Sequence, residues 1–262
     1  VGLPAEEYPS FPSYEDRLFF CLSAKVISRM IEKTIYAVST DEIRYTLNGI
    51  FIEKKDEELR MVATDGHRLS LMNYKDPSLK DVEIGKGVII PRKGAVELKK
   101  LIEGSSDDLM VNITDNNGVF KVGNTILTIR MIEGDFPDYK QVIPVKREKE
   151  VRVNRELLIK ALRRVAVLSS EKSRGVKVSL TKGQLDVFTA NPDIGEASES
   201  IDAEISGEEI VIGFNARYLI ETLNSINDET VKIDINDEFG PVKIGGLVDG
   251  GEHISIVMPM RL

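Results

Sequence analysis

The sequence predicts an α+β fold of two similar domains, each with two helices packed on a largely antiparallel sheet. Three observations lead there: the length, an internal repeat, and the same order of elements in both halves. A chain of 262 residues is long enough for two domains that each bury a core. The repeat has a nearly fixed offset. Asn48-Gly49-Ile50, followed by Leu59, Met61 and Ala63, stands 126 positions before Arg174-Gly175-Val176, followed by Leu185, Val187 and Thr189. Further on, Val88-Ile89-Ile90 precedes Ile210-Val211-Ile212 by 122 positions, and the alternating run Leu109, Val111, Ile113, Asp115 precedes Val231, Ile233, Ile235, Asp237 by the same 122.

Taken in order, residues 1–17 form a Pro-rich stretch (Pro4, Pro9, Pro12) that reads as a linker, and a start at Val1 suggests a truncated chain. The first domain is expected over 18–144 and the second over 151–262, with the charged segment 145–150 between them. Each half reads as strand, helix, alternating strands, second helix, more strands. The apolar run Leu18 to Leu22 is a strand whose Cys21 is expected in the core. A helix starts at Ser23 and buries Val26, Ile27, Met30, Ile31 and Ile35. Its counterpart starts at Asn154 and buries Leu157, Leu158, Ala161, Leu162 and Val165. Second helices are expected near Lys93 to Glu103, stopped by Gly104, and near Ala216 to Ser225. Turn signals stand at Asn48-Gly49, Asp65-Gly66 and Asn117-Gly118.

Composition narrows the chemistry. Hydrophobic residues make up 42% and charged residues 30%, as in a soluble globular protein, and no apolar run approaches the roughly 20 residues that cross a bilayer. One cysteine excludes an internal disulfide, and with only His67 and His253 beside it a Cys/His zinc site is not expected. No cofactor or metal is expected, and a cytoplasmic location is. A net charge of −8 argues against a nucleic-acid partner only if the charge is spread evenly. It is not. Lys25, Arg29 and Lys33 recur every fourth residue on the first helix, diluted by Glu32, and Lys160, Arg163 and Arg164 share a face of its counterpart, with Lys172 and Arg174 following. Acidic residues gather in loops such as Asp56-Glu57-Glu58, Asp107-Asp108, Asp202 to Glu209 and Asp228-Glu229. Cationic stripes on both helices offer phosphates a sequence-independent attraction, although such faces are commonly just solvated.

Asp65 and His67, in Val62-Ala63-Thr64-Asp65-Gly66-His67-Arg68-Leu69, invite an acid/base reading. No Ser or Cys stands in a nucleophile-elbow context, and Asp-Gly at a strand end is a ready turn, so no catalytic residue is assigned.

Ala63-Thr64-Asp65-Gly66-His67-Arg68-Leu69 and the closing Val257-Met258-Pro259-Met260-Arg261-Leu262 resemble signatures of the bacterial β sliding clamp family. Arg44-Tyr45 with Leu47-Asn48-Gly49, Ile90-Pro91-Arg92-Lys93-Gly94, Phe136-Pro137-Asp138-Tyr139, Arg174-Gly175-Val176 and Ala190-Asn191-Pro192 follow in that family's order. The resemblance covers the whole chain and matches the family's second and third domains. It implies a processivity factor in which a head-to-tail dimer of three-domain chains encircles duplex DNA. By the same resemblance this chain alone is expected to be monomeric.

The resemblance further implies a peptide pocket between the domains. Leu47, Thr64, Gly66, His67, Arg68, Leu69, Pro137 and Val142 would line it from the first domain, and Tyr218, Ile256, Met258, Pro259, Met260, Arg261 and Leu262 from the second. Polymerases, the clamp loader and repair proteins would insert short apolar peptides there, and Met, Leu and Pro suit varied anchors. Tyr45, Arg92, Lys93 and Lys100 would join the helical stripes on DNA. Two departures bear on these roles: Thr46 stands where the family often has a second aromatic, and Gln141 where it often has Arg. A hydrolase built on Asp65 and His67, and a free-standing peptide adaptor that never meets DNA, are the alternatives.

Overall fold

The structure, a computed structural model, describes residues 2, 4, 19–82, 84–105, 108–114, 116–170, 174–248 and 251–262. One sequence of elements occurs twice. The first half runs β1 (Phe20–Ser23), α1 (Ala24–Thr34), β2 (Gly49–Lys55), β3 (Glu58–Thr64), β4 (Arg68–Lys75), β5 (Val88–Pro91), α2 (Arg92–Ile102), β6 (Asp108–Ile113), β7 (Asn117–Val122) and β8 (Thr125–Arg130). The second runs β9 (Lys149–Asn154), α3 (Arg155–Ala166), β10 (Gly175–Thr181), β11 (Gln184–Asn191), β12 (Gly195–Ser206), β13 (Ile210–Asn215), α4 (Ala216–Asn224), β14 (Thr230–Ile235), β15 (Val242–Val248) and β16 (Gly251–Val257).

The repeat read from the sequence therefore marks equivalent backbone: Gly49 and Gly175 each open a strand, as do Val88 and Ile210. Among the described residues every strand pairing is antiparallel. In the first half β1-β6-β7-β8 stand as a sheet of four strands, and β4-β3-β2-β5 belong to another. In the second half the long strand β12 pairs first with β11 and then with β9, so its two sheets run into one. That sheet continues into the first half, because β16 pairs with β4, and the result is twelve strands in the order β13-β10-β11-β12-β9-β14-β15-β16-β4-β3-β2-β5.

Each half holds its own core. Ile27, Met30 and Ile31 of α1 pack with Ile50, Met61 and Leu98 in the first, and Leu158, Leu162 and Val165 of α3 pack with Val178, Val187 and Leu223 in the second. A third cluster lies at the seam and joins Leu69 and Leu71 of β4 to Ile254 and Ile256 of β16. Burial of each such side chain contributes about 1.5–3 kcal/mol.

Several local expectations are corrected. Cys21 is exposed, because β1 alternates and turns Leu22 to the core instead. Val26 and Ile35 are half-buried, Leu157 is 51% exposed, and Ile159 takes a core position on α3. Ser23 precedes α1 without a side-chain cap, whereas Asn154 Oδ1 accepts the Leu157 N–H at 3.0 Å. Asn48-Gly49 is no hairpin: it leads from a 3-10 turn into β2, with the Asn48 N–H donating back to the Tyr45 carbonyl at 3.0 Å and the Leu47 carbonyl accepting the Ser39 N–H at 3.0 Å. Asn117-Gly118 opens β7, and the turn precedes it, where the Asn117 carbonyl accepts the Thr114 N–H at 2.8 Å. The segment 145–150, expected as connector, is partly strand, since Lys149 and Glu150 pair with Ile235 and Asp234. Within the linker 1–17 only Gly2 and Pro4 are described. No helix among the described residues is long and apolar enough to cross a membrane.

Candidate functional site

The hairpin joining β3 to β4 places His67 against the end of the chain. Asp65 builds the turn: its Oδ1 accepts the N–H groups of His67 at 2.9 Å and Arg68 at 3.0 Å. Gly66 sits at φ +87°, a region that disfavours side chains, and Thr64 Oγ1 accepts its N–H at 3.1 Å. The His67 carbonyl then accepts the Met258 N–H at 2.8 Å, next to the β4 and β16 register pairs Arg68 with Val257 and Leu69 with Ile256. The His67 and Tyr218 rings stack with centroids 6.0 Å apart. Asp65 thus touches the His67 backbone rather than its ring, and works as a turn brace rather than as an acid/base partner.

The helix-facing side of the seam is polar and buried. Arg68 is 7% exposed and ties four elements together. Its Nε meets Asp65 Oδ2 at 3.1 Å, one Nη pairs with Glu221, the other donates to the Tyr36 carbonyl at 2.7 Å, and the guanidinium lies over the Tyr36 and Tyr218 rings. Burial works to raise the Glu221 pKa, but bonds from Arg217 and Arg68 outweigh it and hold the carboxyl low. Beneath lies His253, 1% exposed. Ser70 Oγ donates to the Lys33 carbonyl at 2.6 Å and so must accept from His253 Nε2 at 3.1 Å, which puts the ring proton on that nitrogen. Burial, with the Lys33 charge adding to it, pushes the His253 pKa down to about 4.

On the other face the seam is apolar. Leu69, Leu71, Ile254 and Ile256 meet Phe136, Tyr139 and Ile143 of the connecting segment, with Met258 at the edge. Leu47, Thr64, Leu69 and Ile256, expected to line a pocket, are 7%, 9%, 2% and 1% exposed, so their side chains are buried rather than open to a ligand. Gly66, His67, Pro137, Val142, Arg261 and Leu262 are exposed, and Tyr218, Met258, Pro259 and Met260 half-buried. The tail does not lie over the seam along its whole length. The Met260 N–H donates to the Gly213 carbonyl at 2.9 Å, and Leu262 packs on Gly213 and Gly175, where a Cβ would collide with it.

The cationic stripes are less uniform than the sequence suggests. Lys33 is 3% exposed and donates to the Ser225 carbonyl and to Asn227 Oδ1 at 3.0 Å, across the seam from α1. It is therefore no phosphate contact, and burial lowers its pKa. Arg164 is exposed but grips Glu199 with both arms of its guanidinium. Lys100 and Lys160 pair with Glu97 at 3.0 Å and Glu156 at 3.8 Å. Lys25, Lys93, Arg163 and Arg174 are exposed and Arg29 half-buried, all without a carboxylate within ion-pair distance among the described residues. Arg92 donates to the Ile35 carbonyl at 3.3 Å, and Tyr45 is 56% exposed. Lys172 lies outside the described residues.

Sequence reasoning missed three residues here. Phe239 is 63% exposed on the β14–β15 turn, under the Arg261 guanidinium at 5.7 Å. Asp237 Oδ1 fixes that turn by accepting the N–H groups of Phe239 and Gly240 at 2.8 and 2.6 Å. The Asp237-Glu238-Phe239-Gly240 run was the available signal, an Asx turn carrying an aromatic. Arg44 lies across the His67 turn, 2.7 Å from where a Gly66 Cβ would stand. Arg217 Nε pairs with Glu221 at 2.6 Å, beside Tyr218.

Comparison with known proteins agrees over the whole chain. The family described as DNA polymerase III beta subunit, central domain, matches residues 21–138, and its C-terminal domain matches 140–261. The chain is 38% identical over 261 residues to the beta sliding clamp of Proteus mirabilis and 37% identical over 265 residues to that of Escherichia coli K12. In each case 99% of the chain covers 70% of the relative. Among solved structures it is similar to a DNA polymerase sliding clamp from Pseudomonas aeruginosa crystallised with a ligand, at TM-score 0.91 and 33% identity, covering 99% of this chain and 70% of that one. The beta sliding clamp of C. crescentus, with polyethylene glycol bound, superposes at TM-score 0.92 and 35% identity over 99% and 69%.

Proposed function

The chain belongs to the bacterial beta sliding clamp family, the beta subunit of DNA polymerase III, and on that footing we propose that it tethers DNA polymerase to duplex DNA without catalysing a reaction. Clamp domains are taken over 18–144 and 151–262, joined through 145–150 and preceded by the segment 1–17. The working place is the cytoplasm. The chain by itself is a monomer, and the full-length protein closes the ring as a dimer.

Polymerase subunits, the clamp loader and repair proteins dock short apolar peptides in the socket between the domains. One observation carries this reading: the His67 turn and the chain end meet across the seam, Met258 on the His67 carbonyl at 2.8 Å, over an apolar floor that includes Leu69, Ile256 and Met258. Anchoring one Leu or Phe contributes about 1.5–3 kcal/mol, so a few anchors give micromolar binding. Tyr218, Pro259, Met260, Arg261 and Leu262 complete the wall, with Phe239 added from the structure. Duplex DNA meets Lys25, Arg29, Arg92, Lys93, Arg163 and Arg174 without base contacts. Tyr45, Lys100, Lys160, Arg164 and Lys172 stand at that face as secondary contacts.

The test is a titration with a fluorescent, apolar polymerase-tail peptide. Deleting Met260 to Leu262 abolishes binding, and His67→Ala weakens it about tenfold, roughly 1.4 kcal/mol. Undiminished binding by the deletion variant refutes the socket. For DNA, Arg163→Ala lowers the slope of log affinity against log salt by about 1.

A further inference from the structure

Two hollows on the helix-facing side of the molecule share one ion pair as a wall. The first, of ≈ 570 Å³, is lined by His67, Arg68 and Tyr218 at the rim of the socket. The second, of ≈ 710 Å³, lies between the end of α3 and the start of α4 and is lined by Arg163 and Arg174, which belong to the proposed duplex face. Arg217 and Glu221, four residues apart on α4, line both. Glu221 divides its oxygens between two partners: Oε1 accepts from Arg217 Nε at 2.6 Å, and Oε2 accepts from Arg68. These partners are not alike. The Arg217 side chain is 57% exposed and that of Arg68 7%, so only Arg217 can exchange the carboxylate for another anion at little desolvation cost. Arg174 is fixed beside it, its N–H donating to the Ser170 carbonyl at 2.7 Å and its carbonyl accepting the Ala216 N–H at 2.9 Å. A phosphate in the second hollow therefore has the guanidiniums of Arg163, Arg174 and Arg217 around it.

Resting on the proposed duplex face and peptide socket, we propose that a duplex phosphate entering this hollow takes Arg217 from Glu221 and thereby tightens peptide docking. Glu221 then gives both oxygens to Arg68, and a bidentate pair is the stronger form of this bond. Arg68 lies over the Tyr218 ring at 4.7 Å, and that ring stacks on His67 at 6.0 Å. A more firmly held Arg68 fixes the Tyr218–His67 wall before a peptide arrives, and a pre-organised wall raises affinity. The exchange runs in both directions, so a docked peptide raises duplex affinity by the same factor.

The experiment titrates a labelled apolar polymerase-tail peptide by anisotropy at low salt, alone and with a saturating short blunt-ended DNA duplex. The wild-type chain binds the peptide about fivefold tighter in the presence of the duplex, and saturating peptide tightens the duplex about fivefold in turn. Arg217→Gln releases Glu221 without a phosphate, so its peptide affinity starts at the duplex-bound level and the duplex changes it by less than about 1.5-fold. Glu221→Gln also removes the duplex effect, yet binds the duplex no more weakly than the wild type, because Arg217 is then unpaired. Arg217→Lys keeps part of the coupling. Equal peptide affinity with and without duplex, or a gain that persists in Arg217→Gln, overturns the coupling and leaves the socket and the duplex face standing. A duplex that weakens peptide binding overturns it as well. Absence of duplex binding overturns the proposed DNA face together with this proposal, and absence of peptide binding overturns the socket with it.

Discussion

The two halves of the chain share one order of elements, yet equivalent positions meet opposite fates at the seam. Lys33 and Arg164 each occupy the tenth position of the first helix in their half. Lys33 is buried and holds the Ser225 carbonyl, whereas Arg164 stays in solvent on Glu199. By the 126-residue offset of the repeat, Arg68 corresponds to Ile194, and Leu69 and Leu71 correspond to Gly195 and Ala197. The first set pairs with β16, and the second leaves the opposite edge of β12 with β11 as its partner there. A duplicated fold thus supplies two copies of each edge, and side chains at only one of them are adapted to closure. Leu69 and Leu71 sit where the halves meet, and Gly195 and Ala197 hold the equivalent places where they do not.

Removing Arg68 gives the sharpest contrast. Arg68→Ala leaves Glu221 and Asp65 without their common partner and costs about 3–5 kcal/mol, while Ile194→Ala at the equivalent place changes stability by less than about 0.5 kcal/mol. Urea unfolding of the two variants measures both, and similar losses would break the comparison. His253 comes next. Its folded pKa of about 4 lies below the usual value of about 6.5 for an unfolded chain, so its neutral form is favoured by folding. That stability is complete above pH 6.5 and is lost as pH falls toward 4, on the order of 3 kcal/mol in all. The slope of stability against pH in this window should flatten in His253→Gln, and an unchanged slope would show that the imidazole is not the titrating group. Smallest is the helix pair: Lys33→Ala costs about 2 kcal/mol by stranding the Ser225 carbonyl and Asn227, against less than about 1 kcal/mol for Arg164→Ala. Paired thermal melts check it.

The duplication, the two helices per half and the position of the His67 turn were legible in the sequence, because apolar periodicity and the Asp65-Gly66 pair have local causes. What failed had nonlocal ones. Lys33 keeps perfect spacing with Lys25 and Arg29, but its surroundings come from the loop at Ser225, 192 residues away. Leu47, Leu69 and Ile256 were expected as pocket lining and are buried, the last two on strands that pair across the seam. Asn48-Gly49 and Asn117-Gly118 carry hairpin chemistry but open strands, where neighbouring strands override the local preference. Arg217 escaped notice because nothing in its immediate sequence shows what lies opposite it, and the Asx turn that signals Phe239 does not show that Arg261 lies over its ring.

The β4–β16 ladder has a mechanical consequence. The exposed stretch 145–148 is a string, and the joint is the row of backbone bonds from His253–Met72 to Val257–Arg68. The angle between the halves is therefore inherited from the twist of a continuous sheet, and splicing extra residues into that string would lengthen the tether while leaving the bend of the molecule as it is.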